Sequence, residues 1–134
     1  MIAFDTNLLL RLTVLDDAKQ AKAAGNIVER ALASREEIYI NPVALSEFAW
    51  TLDRSYKASR RELAAAVRLF LDCPPYRMFN SEVVETALDY FESSKADFSD
   101  CLIGAMNEAL PVQTTYTFDK AAISLNVFTL PPKV

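Results

Sequence analysis

Histidine is absent from all 134 residues. That gap removes Ser-His-Asp triads, imidazole acid–base pairs and histidine zinc sites together. Glycine is nearly as scarce: Gly25 and Gly104 are the only two. Neither lies in a glycine-rich run, so no P-loop and no G-x-G-x-x-G dinucleotide fingerprint exists. Cysteine is limited to Cys73 and Cys101, with no C-x-x-C pair and no metal-ligand neighbours. Cys101, inside an apolar helical pattern, reads as a small core residue. Long apolar runs are missing too. Arg11 interrupts Leu8-Leu9-Leu10, and Met-Ile-Ala-Phe-Asp carries no basic region before an apolar run. The sequence therefore predicts no signal peptide, no membrane span and a cytoplasmic location.

What is present reads as one ordered domain over residues 1–134. Hydrophobic residues make up 51% and charged residues 24%, enough to build a sizeable core. Ile2-Ala3-Phe4 predicts a buried first strand with Asp5 at its C-terminal tip. Asp16-Asp17 precede a helical pattern through Ala18, Ala21, Ala24, Ile27, Val28, Ala31 and Leu32, and acids favour a helix N-terminus. Ile38 to Ile40 reads as a strand closed by Asn41-Pro42, after which Leu45, Phe48, Ala49 and Leu52 mark the core side of a helix. Ser59 with Glu62 forms a capping-box pattern opening a helix from Arg60 to Leu71. Pro74-Pro75 precede a short strand over Tyr76 to Phe79. Asn80 or Ser81 then opens a helix bearing Val83, Val84, Ala87, Leu88 and Phe91. Asp97 to Leu110 is an apolar helix stopped by Pro111, and Gln113 to Thr117 and Val127 to Leu130 are strand-like. Strands alternating with helices imply an α/β fold, a three-layer α/β/α sandwich with a mostly parallel central sheet.

Four acids stand in apolar surroundings: Asp5, Glu47, Asp100 and Asp119. Carboxylates are costly to bury unless something neutralises them, and without histidine the all-oxygen ligands select a hard cation such as Mg²⁺ or Mn²⁺. In open parallel sheets ligands gather beyond the carboxyl ends of strands, so Asp5 and Asp119 are expected at one rim. Glu47 shares a helix register with Val43, Trp50, Thr51 and Arg54, away from the Leu45/Phe48/Leu52 face. Asp97 and Asp100 stand at i and i+3, on a small, polar stripe that continues as Gly104 and Asn107 and predicts a cleft wall. For Asp97, helix capping and a role in a site both remain open. A carboxylate cluster relieved by a divalent cation suits phosphodiester hydrolysis by water better than acyl transfer.

The net charge of −4 argues against strong non-specific nucleic-acid binding. The charge is unevenly distributed, however, because Arg54, Lys57, Arg60, Arg61 and Arg68 face only Asp53 and Glu62 between positions 53 and 68. A solvated helix face and a phosphate-binding patch are both compatible with this stretch.

Phe4-Asp5-Thr6-Asn7, Leu45-Ser46-Glu47, Ala96-Asp97-Phe98-Ser99-Asp100 and Thr117-Phe118-Asp119, in that order, resemble the PIN-domain family. More closely they resemble the VapC-type ribonuclease toxins of bacterial toxin–antitoxin pairs, over nearly the whole chain. The resemblance implies a Mg²⁺-dependent endoribonuclease cutting structured RNA, a tRNA or ribosomal RNA loop, with Mn²⁺ as a substitute. It implies Asp5 and Asp100 as the main metal-ligating acids, completed by Glu47 and Asp119, with Asp97 as an additional acid. Thr6, Asn7 and Thr117 match positions that orient carboxylates or contact substrate. It also implies water attack on phosphorus leaving a 5′-phosphate, a cognate antitoxin inserted across the cleft, and a homodimer. Arg11 and the helix carrying Trp50 and Arg54 are candidates for contacting RNA or antitoxin.

Two other readings compete. A receiver-like regulatory domain also uses Mg²⁺ and a strand-end aspartate, but wants a neighbouring acidic pair where Thr6-Asn7 stand here; an Asp-x-Asp phosphatase fails at the same place. A catalytically silent PIN-like binding module is the remaining alternative, and the presence of all four acids weighs against it.

Overall fold

The computed structural model describes residues 1–133. Six α-helices and five short strands are found among them, and every strand pairing is parallel. The α/β class with parallel strands is thus as the sequence implied. The chain divides into two compact units, Met1–Phe79 and a second from Asn80 onward.

In the first unit, β1 (Ile2–Ala3), β2 (Ile38–Ile40) and β3 (Tyr76–Met78) form one ladder in the order β1-β2-β3. Ile2 lies opposite Ile38, and Ile40 opposite Met78. Helices α1 (Thr6–Thr13) and α2 (Ala18–Ser34) connect β1 to β2; α3 (Pro42–Arg54) and α4 (Arg60–Asp72) connect β2 to β3. Parallel strands require such crossovers, because a hairpin cannot join them. Each helix start is locally encoded. Asn41 accepts from the Ala44 amide at 2.8 Å with Pro42 in the first turn. Ser59 and Glu62 exchange bonds at 2.9 and 3.1 Å, the reciprocal box the sequence predicted. The apolar faces then meet: Phe48 packs edge-on against Phe70, and Phe70 against Tyr76, at centroid distances of 5.4 and 4.8 Å.

Two features of this unit differ from expectation. Helix α1 was not anticipated, because Leu8-Leu9-Leu10 reads as a plain apolar run; Asp5 caps it by accepting from the Leu8 amide at 3.2 Å. The first strand is also not buried. Ile2 is 37% exposed and Ala3 is exposed, while Phe4 alone is buried. Its place at the end of the β1-β2-β3 ladder gives β1 a hydrogen-bonding neighbour in that ladder on one side only.

The second unit contains α5 (Ser81–Ser93), α6 (Phe98–Glu108), β4 (Thr115–Tyr116), a 3-10 turn (Ala122–Ser124) and β5 (Phe128–Thr129). Helix α5 packs on α6, with Phe91 edge-on to Phe98 at 5.8 Å, and Val83, Val84, Ala87 and Leu88 are buried as predicted. Cys101 is fully buried, as a core cysteine should be. Strands β4 and β5 pair with Thr115 opposite Phe128. Helix α6 stops at Glu108, two residues before the expected Leu110.

The stripe on α6 corrects one reading. Gly104 is buried against β5 and the residue before it: a Cβ there would lie 2.8 Å from Val127 Cγ2 and 2.9 Å from Phe128 Cε2. Asn107 donates to Thr115 Oγ1 at 3.0 Å. This lower half of the stripe packs onto the strands; small size at position 104 serves close approach. Gly104→Ala should therefore destabilise the protein by about 1–3 kcal/mol through overpacking, outweighing the roughly 1 kcal/mol helix-propensity gain of alanine. Urea denaturation of both proteins would check this, and an unchanged or higher midpoint would refute it.

Candidate functional site

Each unit holds part of the predicted acid set. In the first, Asp5 follows β1 and caps α1, its carboxylate exposed apart from the Leu8 amide bond. Thr6 begins that helix and places Oγ1 3.5 Å from Glu47 Oε2 on α3, a long and weak contact. Packing of α1 on α3 thus brings Thr6 to Glu47. Glu47 lies on the outer face of α3 with Val43 and Trp50, opposite the buried Leu45, Phe48 and Leu52, as the register predicted. Asn7 is exposed and carries its amide to solvent.

The second unit brings three carboxylates into mutual influence. Asp97 caps α6 and accepts from the Asp100 amide at 2.8 Å, so the capping role is real. Asp100 sits in the first turn of α6, half-buried. Burial, reinforced by the nearby charges of Asp97 and Asp119, pushes its carboxyl up to about 6. Asp119, following β4, accepts from the Ala121 and Ala122 amides at 2.9 and 3.0 Å, and Thr117 Oγ1 accepts from the Asp119 amide at 3.0 Å. Thr117 thereby fixes the loop that carries Asp119. None of the ion pairs among the described residues involves these three acids.

Apolar neighbours in sequence suggested buried acids at Asp5, Asp100 and Asp119; the structure leaves Asp5 and Asp119 exposed and Asp100 half-buried, with Glu47 exposed as its register implied and Asp97 exposed as a cap. Capping amides, which must reach solvent-side loops, explain three of the exposed positions. Among the described residues, no group of three or more acidic or cysteine side chains is closed tightly enough to cage a metal. The donor chemistry nevertheless fits a hydrated hard cation: oxygen ligands only, like charges unrelieved by any arginine or lysine, and an ion type that keeps several waters and uses one or two carboxylates.

Arg11 is not the open contact that was expected. It pairs with Asp16 and donates to Tyr56 Oη at 3.5 Å, while Tyr56 donates to Asp16 at 2.7 Å. The Tyr56 hydroxyl, helped by Arg11, holds the Asp16 carboxyl below its ordinary range. Sequence reasoning overlooked Tyr116 and Phe118, which are 60% and 82% exposed beside Asp119. Their alternation with Thr115 and Thr117 was the available signal. A groove of about 640 Å³ in the second unit, lined by Tyr90, Gly104, Glu108, Thr114 and Asn126 among others, includes none of the candidate acids.

Compared with protein families, the chain matches the PIN domain over residues 2–125. No curated protein and no solved structure matches it significantly. No helix among the described residues is long and apolar enough to cross a membrane.

The Asp100 environment makes a prediction about stability. Its folded-state pKa of about 6 lies above the unfolded carboxylate value, so the native state holds the extra proton. That contribution is full below about pH 4 and is lost as pH rises through about 6. Asp100→Asn should remove this slope and stabilise the metal-free protein at pH 7 by on the order of 1 kcal/mol, allowing for solvent screening of a half-exposed group. Thermal melts of both proteins from pH 4 to 7.5 in EDTA would test it; parallel curves would refute the assigned strain.

Proposed function

Because the chain belongs to the PIN-domain family, whose members are generally metal-dependent nucleases, we propose that it is a Mg²⁺-dependent endoribonuclease. We read it as the toxin of a type II toxin–antitoxin pair of the VapC type. The observation that carries this reading is Asp100: a half-buried acid beside Asp97 and Asp119, raised to about 6 and matched by no basic partner among the described residues. Burial, reinforced by these like charges, disfavours the Asp100 anion in the empty site, and a bound cation would relieve both.

Asp5 and Asp100 would hold the ion, with Glu47 and Asp119 completing a quartet. A hard divalent cation supplies charge stabilisation at phosphorus and lowers the pKa of water. The chain's own residues do the rest. Asp119, fixed by the Ala121 and Ala122 amides, keeps a carboxylate oriented to accept a proton from the attacking water. Thr6 lies within a long contact of Glu47, and Thr117 steadies the Asp119 loop. Asp97 positions Asp100 by capping its helix. With no nucleophilic side chain needed, water attack leaves a 5′-phosphate and a 3′-hydroxyl. The substrate is structured RNA, a tRNA or ribosomal RNA loop. A cognate antitoxin and a second copy of the chain are the partners, and the cytoplasm is the setting.

A catalytically silent PIN-like module is the second reading. The absence, among the described residues, of a closed three-ligand group favours it. The family match removes the receiver-like alternative.

Purified protein should cleave total bacterial RNA with Mn²⁺ into discrete 5′-phosphorylated products, and EDTA should abolish this. Asp100→Asn and Asp5→Asn should each lower the rate at least about a hundredfold while remaining folded, since asparagine preserves the cap that Asp5 provides. Cleavage retained in both variants would sink the site assignment. Failure of the metal-loaded wild type on RNA from several sources would favour the silent module. Saturating Mg²⁺ or Mn²⁺ should also raise the melting temperature of the wild type and raise it less in Asp100→Asn. Equal shifts in the two proteins would place the cation elsewhere.

A further inference from the structure

The outer face of α3 carries more than Glu47. Glu47, Trp50 and Arg54 stand at i, i+3 and i+7 and so share one side of the helix, spread over roughly 10 Å of its axis. Trp50 is 54% exposed, so a large part of the indole is open to a ligand. The Arg54 guanidinium lies 5.7 Å from its ring centroid and also makes a long, solvent-exposed pairing with Asp53 at 3.9 Å that contributes little. Beyond Arg54 the chain runs Ser55-Tyr56-Lys57-Ala58-Ser59-Arg60-Arg61. This stretch puts Lys57, Arg60 and Arg61 at the surface, between Asp53 and Glu62. Lys57, in the link between α3 and α4 beyond the Ser55 C-cap, adopts a left-handed backbone (φ 51°). In a chain of net charge −4, this is a local reversal of sign next to an exposed indole.

The geometry points to a single-stranded RNA platform on this face: a base stacks on Trp50 while Arg54 and the 57–61 segment hold the backbone phosphates. Indole faces accept any base, and basic neighbours track the strand. Arg54 serves both parts, as a cation over the ring and a phosphate donor. The inference rests on the proposed reading of the chain as an RNA-directed nuclease, and makes Trp50 and Arg54 substrate-binding residues without a part in bond cleavage.

Trp50 is the only tryptophan, so the intact protein reports directly. Emission is followed while an unstructured oligouridylate is added in EDTA, which keeps the strand whole. Expected are quenching by oligouridylate, little quenching by inorganic polyphosphate, and an apparent affinity that weakens with salt. With binding followed by a labelled strand, Trp50→Leu and Arg54→Gln should each weaken it about fivefold or more, whereas Trp50→Phe retains most of it. In cleavage assays Trp50→Leu should raise KM with kcat nearly unchanged. Emission indifferent to saturating oligouridylate, or wild-type affinity in Trp50→Leu, would overturn the platform. So would an emission shift that tracks protein concentration instead of RNA, which would assign the face to a protein interface. Cleavage without Trp50 quenching leaves the nuclease standing and the platform refuted; quenching without cleavage does the reverse.

Discussion

The structure depends on satisfying helix N-terminal amides at the ends of very short strands. Strands of two or three residues supply few ladder bonds, so the helices and their starting points must carry the order. Each α-helix among the described residues begins with a side chain that accepts one of its free amides: Asp5, Asp17, Asn41, Ser59, Asn80 and Asp97. Such caps contribute typically about 1 kcal/mol each. More importantly they fix the helical phase, which decides that Leu45, Phe48 and Leu52 point inward while Glu47 and Trp50 point out. A start displaced by one residue would turn the α3 face by about 100°.

Two of those caps belong to the candidate site, so structure and chemistry draw on the same carboxylates. Asp97 satisfies the Asp100 amide and in doing so fixes a negative charge one turn below the Asp100 side chain. Position alone would favour Asp100 as an anion, since a helix N-terminus stabilises negative charge by about 0.3–1 kcal/mol. The opposite outcome, a carboxyl pushed up to about 6, means that burial together with Asp97 and Asp119 outweighs the helix dipole. The electrostatic tension therefore comes first from burial, with the capping Asp97 adding to it.

Most elements were readable because their signals are local. Asn41-Pro42 and Ser59-x-x-Glu62 announce helix starts by hydrogen-bond chemistry that needs no distant partner. The acids of the candidate site are named from the sequence as residues, and the outward register of Glu47 follows from helical period. What was not legible depends on tertiary partners. Helix α1 is too short and too leucine-rich to show a period. The role of Gly104 is set by Val127 and Phe128, more than twenty positions away. Arg11 looked available because nothing nearby in sequence names Tyr56 as its partner.

On the proposed reading, net charge is a poor guide for a definite reason. At physiological salt, charges are screened over about 8 Å, so a phosphate near Arg54 responds to the 54–61 segment more than to distant acids. Along α3 the separation of Glu47 from Arg54, roughly 10 Å, slightly exceeds that length. The cluster thus stays attractive to an anion although Glu47 shares its face. On the proposed reading, a strand that settles on Arg54 and extends along the face toward Glu47 leaves the attractive zone and meets carboxylate repulsion. A divalent cation removes that repulsion. On that reading substrate capture would be separable from cleavage: the basic segment would suffice for the first, and only the second would need the metal.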